Sequence, residues 1–411
     1  MLMFKLEQEE FGIHPVSGSS RTVRLILLAF ILGPTVVTGN DIQAPDTVGN
    51  VGRFTSLELN AKGNPVVSYH DLTKRDLKLL SCDDPYCEGD ESGSISVLDT
   101  VGIVGAYTSL ALDVKGNPVV SYSDSSEGNL KLLRCDSPDD CASDSTSTST
   151  SIPDSSDNVG RYTSLVLDDA GNPVVSYYDD ANGDLKLLHC DDPGCTGDES
   201  KNISTPDTTG DVGLYTSLAL DDDGNPVISY YAANNGGLKL LHCDDSHCKG
   251  NESGNITIPD TGEVGWFTSL VLDAAGNPVV SYFDFANGDL KILHCDDPNC
   301  VGNESKNITA PDTAGQVGAY NSMVLDAKGN PVVSYNDASN GDLKILHCDD
   351  PKCAGDETNN IATPDATSEV GSFTSLVLDA AGNPVVSYYD FANGDLKILH
   401  CSNHTCNSKK R

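Results

Sequence analysis

Hydrophobic and polar positions alternate along this chain in short runs that never settle into a helical period. In residues 161–207 the runs are "RYTSLVL" (161–167), "VVSYYD" (174–179), "LKLLHC" (185–190) and "NISTPD" (202–207). They are rich in β-branched and aromatic residues, which predicts four strands. The turns between them are equally marked. "DDAGNP" places Gly171 where a positive φ is needed, and "DANGD" carries the Asn-Gly pair of tight hairpins. The fourth run holds a proline, which suits an edge strand because no backbone N–H is required there.

This unit recurs. "GNP" begins at Gly63, Gly116, Gly171, Gly224, Gly276, Gly329 and Gly382, and segments 171–190 and 382–401 are near copies. Seven units of about 53 residues point to a propeller or a solenoid. Runs such as "LVL" and "PVV" are apolar on both faces, as in sheets packed between sheets, which favours the propeller. The chain ends favour it too. "DIQAPDT" (41–47) matches "NITAPDT" (307–313), a fourth strand without its blade, while the chain stops after the third strand of its seventh unit. Pairing the two closes a ring and leaves no open edge. The expected fold is all-β: a seven-bladed β-propeller of four-stranded antiparallel blades over residues 40–411, closed by an N-terminal outer strand.

Residues 1–39 read as a signal peptide or an N-terminal anchor. Arg21 and Arg24 precede the apolar run Leu25 to Val37, which is short for a bilayer span, and small residues follow before Asn40. A secreted, periplasmic or cell-surface location is expected. The formal charge of −36 disfavours nucleic acid and anionic membranes as partners and leaves cations, basic partners or neutral sugars.

An even number of cysteines in an exported chain suggests disulfides. The fourteen fall in close pairs: Cys82 with Cys87, Cys135 with Cys141, Cys190 with Cys195, Cys243 with Cys248, Cys295 with Cys300, Cys348 with Cys353 and Cys401 with Cys406. Zinc, suggested by neighbours such as His189 and Cys190, needs four converging ligands and is the weaker alternative.

The repeat "VGxYTSLxLDxxGNPVVSYYD…GDLKLLHC" resembles one found in uncharacterised secreted bacterial proteins that are loosely grouped with sialidase-like β-propellers. The resemblance covers about residues 41–406 and implies a propeller and an exported location. The sialidase hallmark S-x-D-x-G-x-T-W is absent, and no arginine triad is evident among Arg53, Arg75, Arg134, Arg161 and Arg411.

The "DxxGNP" turn, fullest at Asp221, Asp223 and Asn225, invites calcium as the one candidate cofactor. Calcium takes six to eight oxygens, and a plain β-turn explains the aspartate more simply. The recurrent Lys78, Lys131, Lys186, Lys239, Lys291, Lys344 and Lys397 read as structural partners of the aspartate after "SY", and the "SY" tyrosines as packing. Sequons stand at Asn202, Asn251, Asn255, Asn303, Asn307 and Asn403, and residues 143–151 read as a flexible loop.

Function is sought where the units differ. One variable position reads Arg53, Ala106, Arg161, Leu214, Trp266, Ala319 and Ser372; a second reads His70, Ser123, Tyr178, Tyr231, Phe283, Asn336 and Tyr389. The candidate ligand-binding residues at the channel mouth are Arg53, Arg161, Trp266, His70, Tyr178, Tyr231, Phe283 and Tyr389. They suggest a non-enzymatic monomer that recognises a glycan or an extracellular protein. The alternatives are a polysaccharide hydrolase or lyase, which needs unlike residues converging, and a structural cell-envelope protein.

Overall fold

The computed structural model describes residues 39–137, 141, 148–234 and 236–407. The expected signal or anchor, up to residue 38, and the first part of the 143–151 loop lie outside them. The described chain forms seven four-stranded antiparallel sheets arranged as the blades of a propeller. The inner strands are Val51–Leu59, Val104–Leu112, Val159–Leu167, Val212–Leu220, Val264–Leu272, Val317–Leu325 and Val370–Leu378. Blade seven takes its outer strand, Asp41–Asp46, from the N-terminal side, with Asp41 opposite His400 and Ile42 opposite Leu399. One expectation fails: Thr148–Asp154 is the outer strand of blade two, with Thr148 opposite Cys135. Alternating Ser and Thr reads as a flexible loop, but threonine suits a strand and the third strand offers an open edge.

The core lies between blades rather than within them. Val174, Leu185 and Leu187 of blade three, for instance, pack on Val212, Leu218, Ile228 and Tyr230 of blade four. Strands apolar on both faces make this inevitable, since each sheet is covered twice.

All seven cysteine pairs form disulfides. Cys82 bonds to Cys87, Cys135 to Cys141, Cys190 to Cys195, Cys243 to Cys248, Cys295 to Cys300, Cys348 to Cys353 and Cys401 to Cys406. Each bridge pins the loop that follows a third strand, and the set fits an oxidising compartment. With every sulfur bonded to another, no thiolate is left for the zinc alternative. The second cysteine of a pair is more than a staple. Cys87, Cys195, Cys248, Cys300, Cys353 and Cys406 take φ of 45–52°, the left-handed turn that brings the chain back to the first cysteine within five residues. The bridge to Cys141 in blade two spans six residues instead. Cys87, Cys141, Cys248, Cys300 and Cys406 are all buried, so the bridges also join the packing between blades.

Polar groups stitch the blades together around the axis. The inner strand has no neighbour on its axial side, so its free N–H groups need partners. The serine of each "TS" pair supplies one: Ser164 Oγ accepts from Leu218 N at 3.0 Å, and Ser375 Oγ from Leu57 N at 3.0 Å, closing the ring. The preceding threonine donates to the carbonyl of the aromatic residue one blade back, as Thr55 does to Phe373 O at 2.7 Å. It also meets the "SY" serine of that blade, as at Ser387.

The outer-strand aspartate reaches the next blade. Asp312 of blade five accepts from Tyr335 Oη at 2.8 Å and from Lys344 Nζ at 3.0 Å in blade six. Lys344 also pairs with Asp337 of its own blade at 2.9 Å. The expected lysine–aspartate pair is therefore one half of a joint between blades. On the perimeter, His189 Nε2 contacts Asp168 at 3.0 Å and Nδ1 contacts Ser246 O of the next blade at 2.6 Å.

The glycine of each "VG" pair fixes how closely blades approach. Gly213 has φ +99°, and a Cβ there would stand 2.8 Å from Leu185 Cα of blade three. Gly171 has φ +82° but no atom within 4 Å of such a Cβ. Gly213→Ala should therefore be less stable than Gly171→Ala by about 1–3 kcal/mol, the cost of overpacking, in urea denaturation. Equal losses would mean that backbone strain alone sets both values.

Candidate functional site

The sequence V-G-x-[FY]-[TN]-S bends each inner strand sharply. Strand register shifts on either side of the residue after the glycine, for example between Val159 and Arg161 and between Arg161 and Ser164. The aromatic residue that follows takes a positive φ in every blade: Phe54, Tyr107, Tyr162, Tyr215, Phe267, Tyr320 and Phe373 all lie at 51–54°. A bulky L-residue there is a strained outlier that only firm surroundings maintain. The surroundings are the glycine contact before it and the threonine hydrogen bond onto its carbonyl.

The bend turns seven aromatic rings toward the axis. Each centroid lies 4.4–4.6 Å from the next, from Phe54 through Tyr107, Tyr162, Tyr215, Phe267, Tyr320 and Phe373 back to Phe54. Successive planes are inclined by 45–57°, close to one seventh of a turn, so each ring keeps one orientation to its blade. The centroids lie on a circle about 10 Å across, as sevenfold closure with that spacing demands. The rings wall an axial pocket of about 180 Å³ that Thr55, Thr108, Thr163, Thr216, Thr268, Asn321 and Thr374 complete.

The two variable positions are cross-strand partners. Arg53 faces His70, Arg161 faces Tyr178, Leu214 faces Tyr231, Trp266 faces Phe283 and Ser372 faces Tyr389. None of them lines the axial pocket. They sit beside the aromatic circle, blade by blade, and most are buried. Trp266 keeps 9% of its surface; it stacks on Phe285 at 4.8 Å and lies against Tyr215, a member of the circle, at 5.5 Å. Tyr231 bonds to Glu263 at 3.3 Å and also meets Trp266; burial raises its pKa, Trp266 opposes the rise and Glu263 adds to it. Phe283 is fully buried.

On the other side of the ring, the Arg53 guanidinium lies 5.3 Å over Tyr389, whose hydroxyl donates to Asn50 at 2.8 Å. Burial and then Arg53 lower the pKa of His70 to about 4, which keeps its imidazole neutral at pH 7. Arg161 pairs with Asp180 at 3.5 Å, and Tyr178 donates to Asp211 at 2.7 Å. These residues thus meet in pairs and small stacks on separate blades, and several buttress the circle from behind.

The turn aspartate is fully engaged. Asp221 Oδ1 accepts from Asp223 N and Asn225 N, and Oδ2 faces Asn225 Nδ2 and His242 Nε2. An acceptor so occupied has little left for calcium, and the turn explains the residue. Three sequon asparagines are also engaged: Asn202, Asn255 and Asn307 donate their side-chain nitrogen to Glu199, Glu252 and Glu304.

Compared by sequence, the chain matches no protein family and no curated protein. Its chain path is similar to a calcium-binding protein, regucalcin, from Agrobacterium tumefaciens, at 12% identity and TM-score 0.41, over 88% of this chain and 92% of that one. It is similar to a triple arginine-to-alanine mutant of AofleA from Arthrobotrys oligospora, at 11% identity and TM-score 0.47, over 80% and 90%. A puromycin-hydrolyzing peptidase from Mycobacterium tuberculosis matches at 10% identity and TM-score 0.46, over 88% of this chain and 56% of that one.

Proposed function

We propose that the protein is an exported binding propeller that takes the end of a neutral glycan into the aromatic-walled pocket on its axis. The observation that carries this reading is the closed circle of seven aromatic side chains held at strained φ. Strain of that kind collects at ligand clamps, and a concave wall of aromatic rings with a few hydroxyl and amide groups suits a sugar, which has apolar faces and polar edges. The net charge of −36 disfavours an anionic ligand.

Hydrolysis is less well supported. A glycosidase needs two carboxyl groups about 5–9.5 Å apart, whereas the pocket is lined by aromatic residues, threonines and one asparagine. The threonine hydroxyls are committed to neighbouring blades, as Thr163 Oγ1 is to Tyr107 O at 2.8 Å, so none is poised as a nucleophile.

A glycan array on the purified protein tests the proposal. Replacing Tyr107, Tyr162 and Tyr215 together by Phe removes hydroxyls and keeps the rings. Affinity for the captured glycan should fall at least tenfold, about 1.4 kcal/mol, with the melting midpoint nearly unchanged. Unaltered affinity would move the ligand off the axis, and release of reducing ends from polysaccharide would establish the hydrolase instead.

A further inference from the structure

A second feature lies on the perimeter, in loops the axial pocket does not touch. Five units share the motif C-D-D-[PS]-x-C-x-G-[DN]-E, with glutamates Glu91, Glu199, Glu252, Glu304 and Glu357. The glutamate opens or precedes a short 3-10 turn after the disulfide and folds back under the two aspartates. In blade four, Asp244, Asp245 and Glu252 each bring a carboxylate oxygen within 4.8 Å of the other two; Asp191, Asp192 and Glu199 do the same in blade three.

Glu252 is only 2% exposed. Its Oε2 accepts from Asn255 at 2.7 Å, while Oε1 is buried with no hydrogen-bond partner. Glu199 and Glu357 repeat this arrangement, with Asn202 and Asn360 on Oε2 and Oε1 again unpartnered. A buried carboxylate oxygen facing other carboxylates is costly, because desolvation and like-charge repulsion act together. One such atom could be tolerated strain. The same atom orphaned in four blades, Glu91 of blade one beside Asp83 and Asp84 included, each time next to two aspartates, marks a place prepared for positive charge.

We propose that the disulfide loops of blades one, three, four and six, and by its shared motif that of blade five, each bind a calcium ion between the glutamate and the aspartates. Oxygens on one calcium at 2.3–2.6 Å lie no more than about 5 Å apart, which the observed spacing satisfies. Asp244 is exposed, so water can complete the shell. Asp245 accepts from His247 N and Lys249 N and contributes through its remaining lone pairs. The disulfide sulfurs are not available as thiolates, and an all-oxygen set suits a hard cation. The loop is also where the preceding blade attaches, through His189 onto Ser246 O. A bound ion would stiffen that joint.

The purified protein, stripped with EDTA and dialysed against calcium in about 0.15 M NaCl, should retain at least three ions per chain and melt several degrees higher than without calcium. Glu252→Gln should remove one ion, and Glu199→Gln with Glu252→Gln two. Asp244→Asn, at an exposed position, should weaken the blade-four site at least tenfold if the glutamate variant fails to fold. No retained calcium, or a count that these substitutions leave unchanged, would overturn the proposal and assign the carboxyl clusters to proton sharing.

Discussion

Deleting residues 40–48 is expected to lower the melting midpoint by about 10 °C or more and to make the protein self-associate. The deletion removes the outer strand of blade seven and leaves the strand Asp395–His400 as an open edge, a ready template for another chain. It also removes Asp46, which accepts from Tyr69 Oη at 2.7 Å and from Lys78 Nζ at 3.0 Å in blade one. Tyr69 is fully buried, so its stranded hydroxyl alone costs about 1–3 kcal/mol. Calorimetry and sedimentation measure both effects. A peptide of residues 40–48 added in trans should restore much of the lost midpoint by strand addition. An unchanged midpoint would show that the ring does not depend on this closure.

The second large effect is expected at the joints between blades. Lys344→Met should cost about 3–5 kcal/mol in urea denaturation, the usual penalty for removing one partner of a buried ion pair. Lys344 stands between Asp312 and Asp337, whose side chains are 3% and 0% exposed. Burial alone would raise the pKa of Asp337, but bonds from Asn340 and Lys344 and the charge of Lys344 outweigh it and hold the value low. Burial likewise opposes the charge of Lys344, and the two aspartates more than compensate, raising its pKa.

The carboxylate contribution is therefore present above the unfolded value of about 3.9 and lost as pH falls through the lower folded value. The lysine contribution is present below about 10.4 and lost as pH rises through the higher folded value. The penalty of Lys344→Met should be flat from about pH 5 to 9 and shrink in acid. Lys239→Met should cost less, because Ala232 replaces the second aspartate in blade four and, among the described residues, Asp207 alone pairs with it. A Lys344 penalty below about 1 kcal/mol would class the pair with surface ion pairs.

The fold was legible in the sequence because its evidence is redundant. Seven copies of one turn count the blades, and a fourth-strand segment displaced to the N-terminal side announces the closure. The cysteine spacing announced the bridges as well, though not the left-handed turn at residues such as Cys248 and Cys300, which closure over so short a loop imposes. The proposed binding surface was harder to see. Residues such as Tyr162 and Phe267 recur in every unit, and a residue repeated seven times reads as scaffold. Closed rotation changes that logic, because it carries all seven copies of one position to the same place. The variable Trp266 and Arg53 stand beside the circle and do not line the axial pocket. The positive φ of the aromatic residues had no signal in side-chain type, since the bend depends on a glycine two residues earlier and on a neighbouring blade. Glu252 was hidden for a related reason. A glutamate in an acidic, glycine-containing loop reads as surface, and only the fold shows it turned inward.

The aromatic circle also acts as a gauge of copy number. Its members stand about 4.5 Å from their neighbours, so at that spacing the calibre of the circle follows the number of rings. A chain with six units would close on a circle about 9 Å across, and one with eight on a circle of about 12 Å, by the same geometry. Each unit brings its own bend, its own disulfide and its own joints, and the end-sharing device works for any number. Gain or loss of one repeat would thus re-bore the axial opening by more than an ångström in a single step while keeping the circle closed, whereas a point substitution in the wall opens it on one side only.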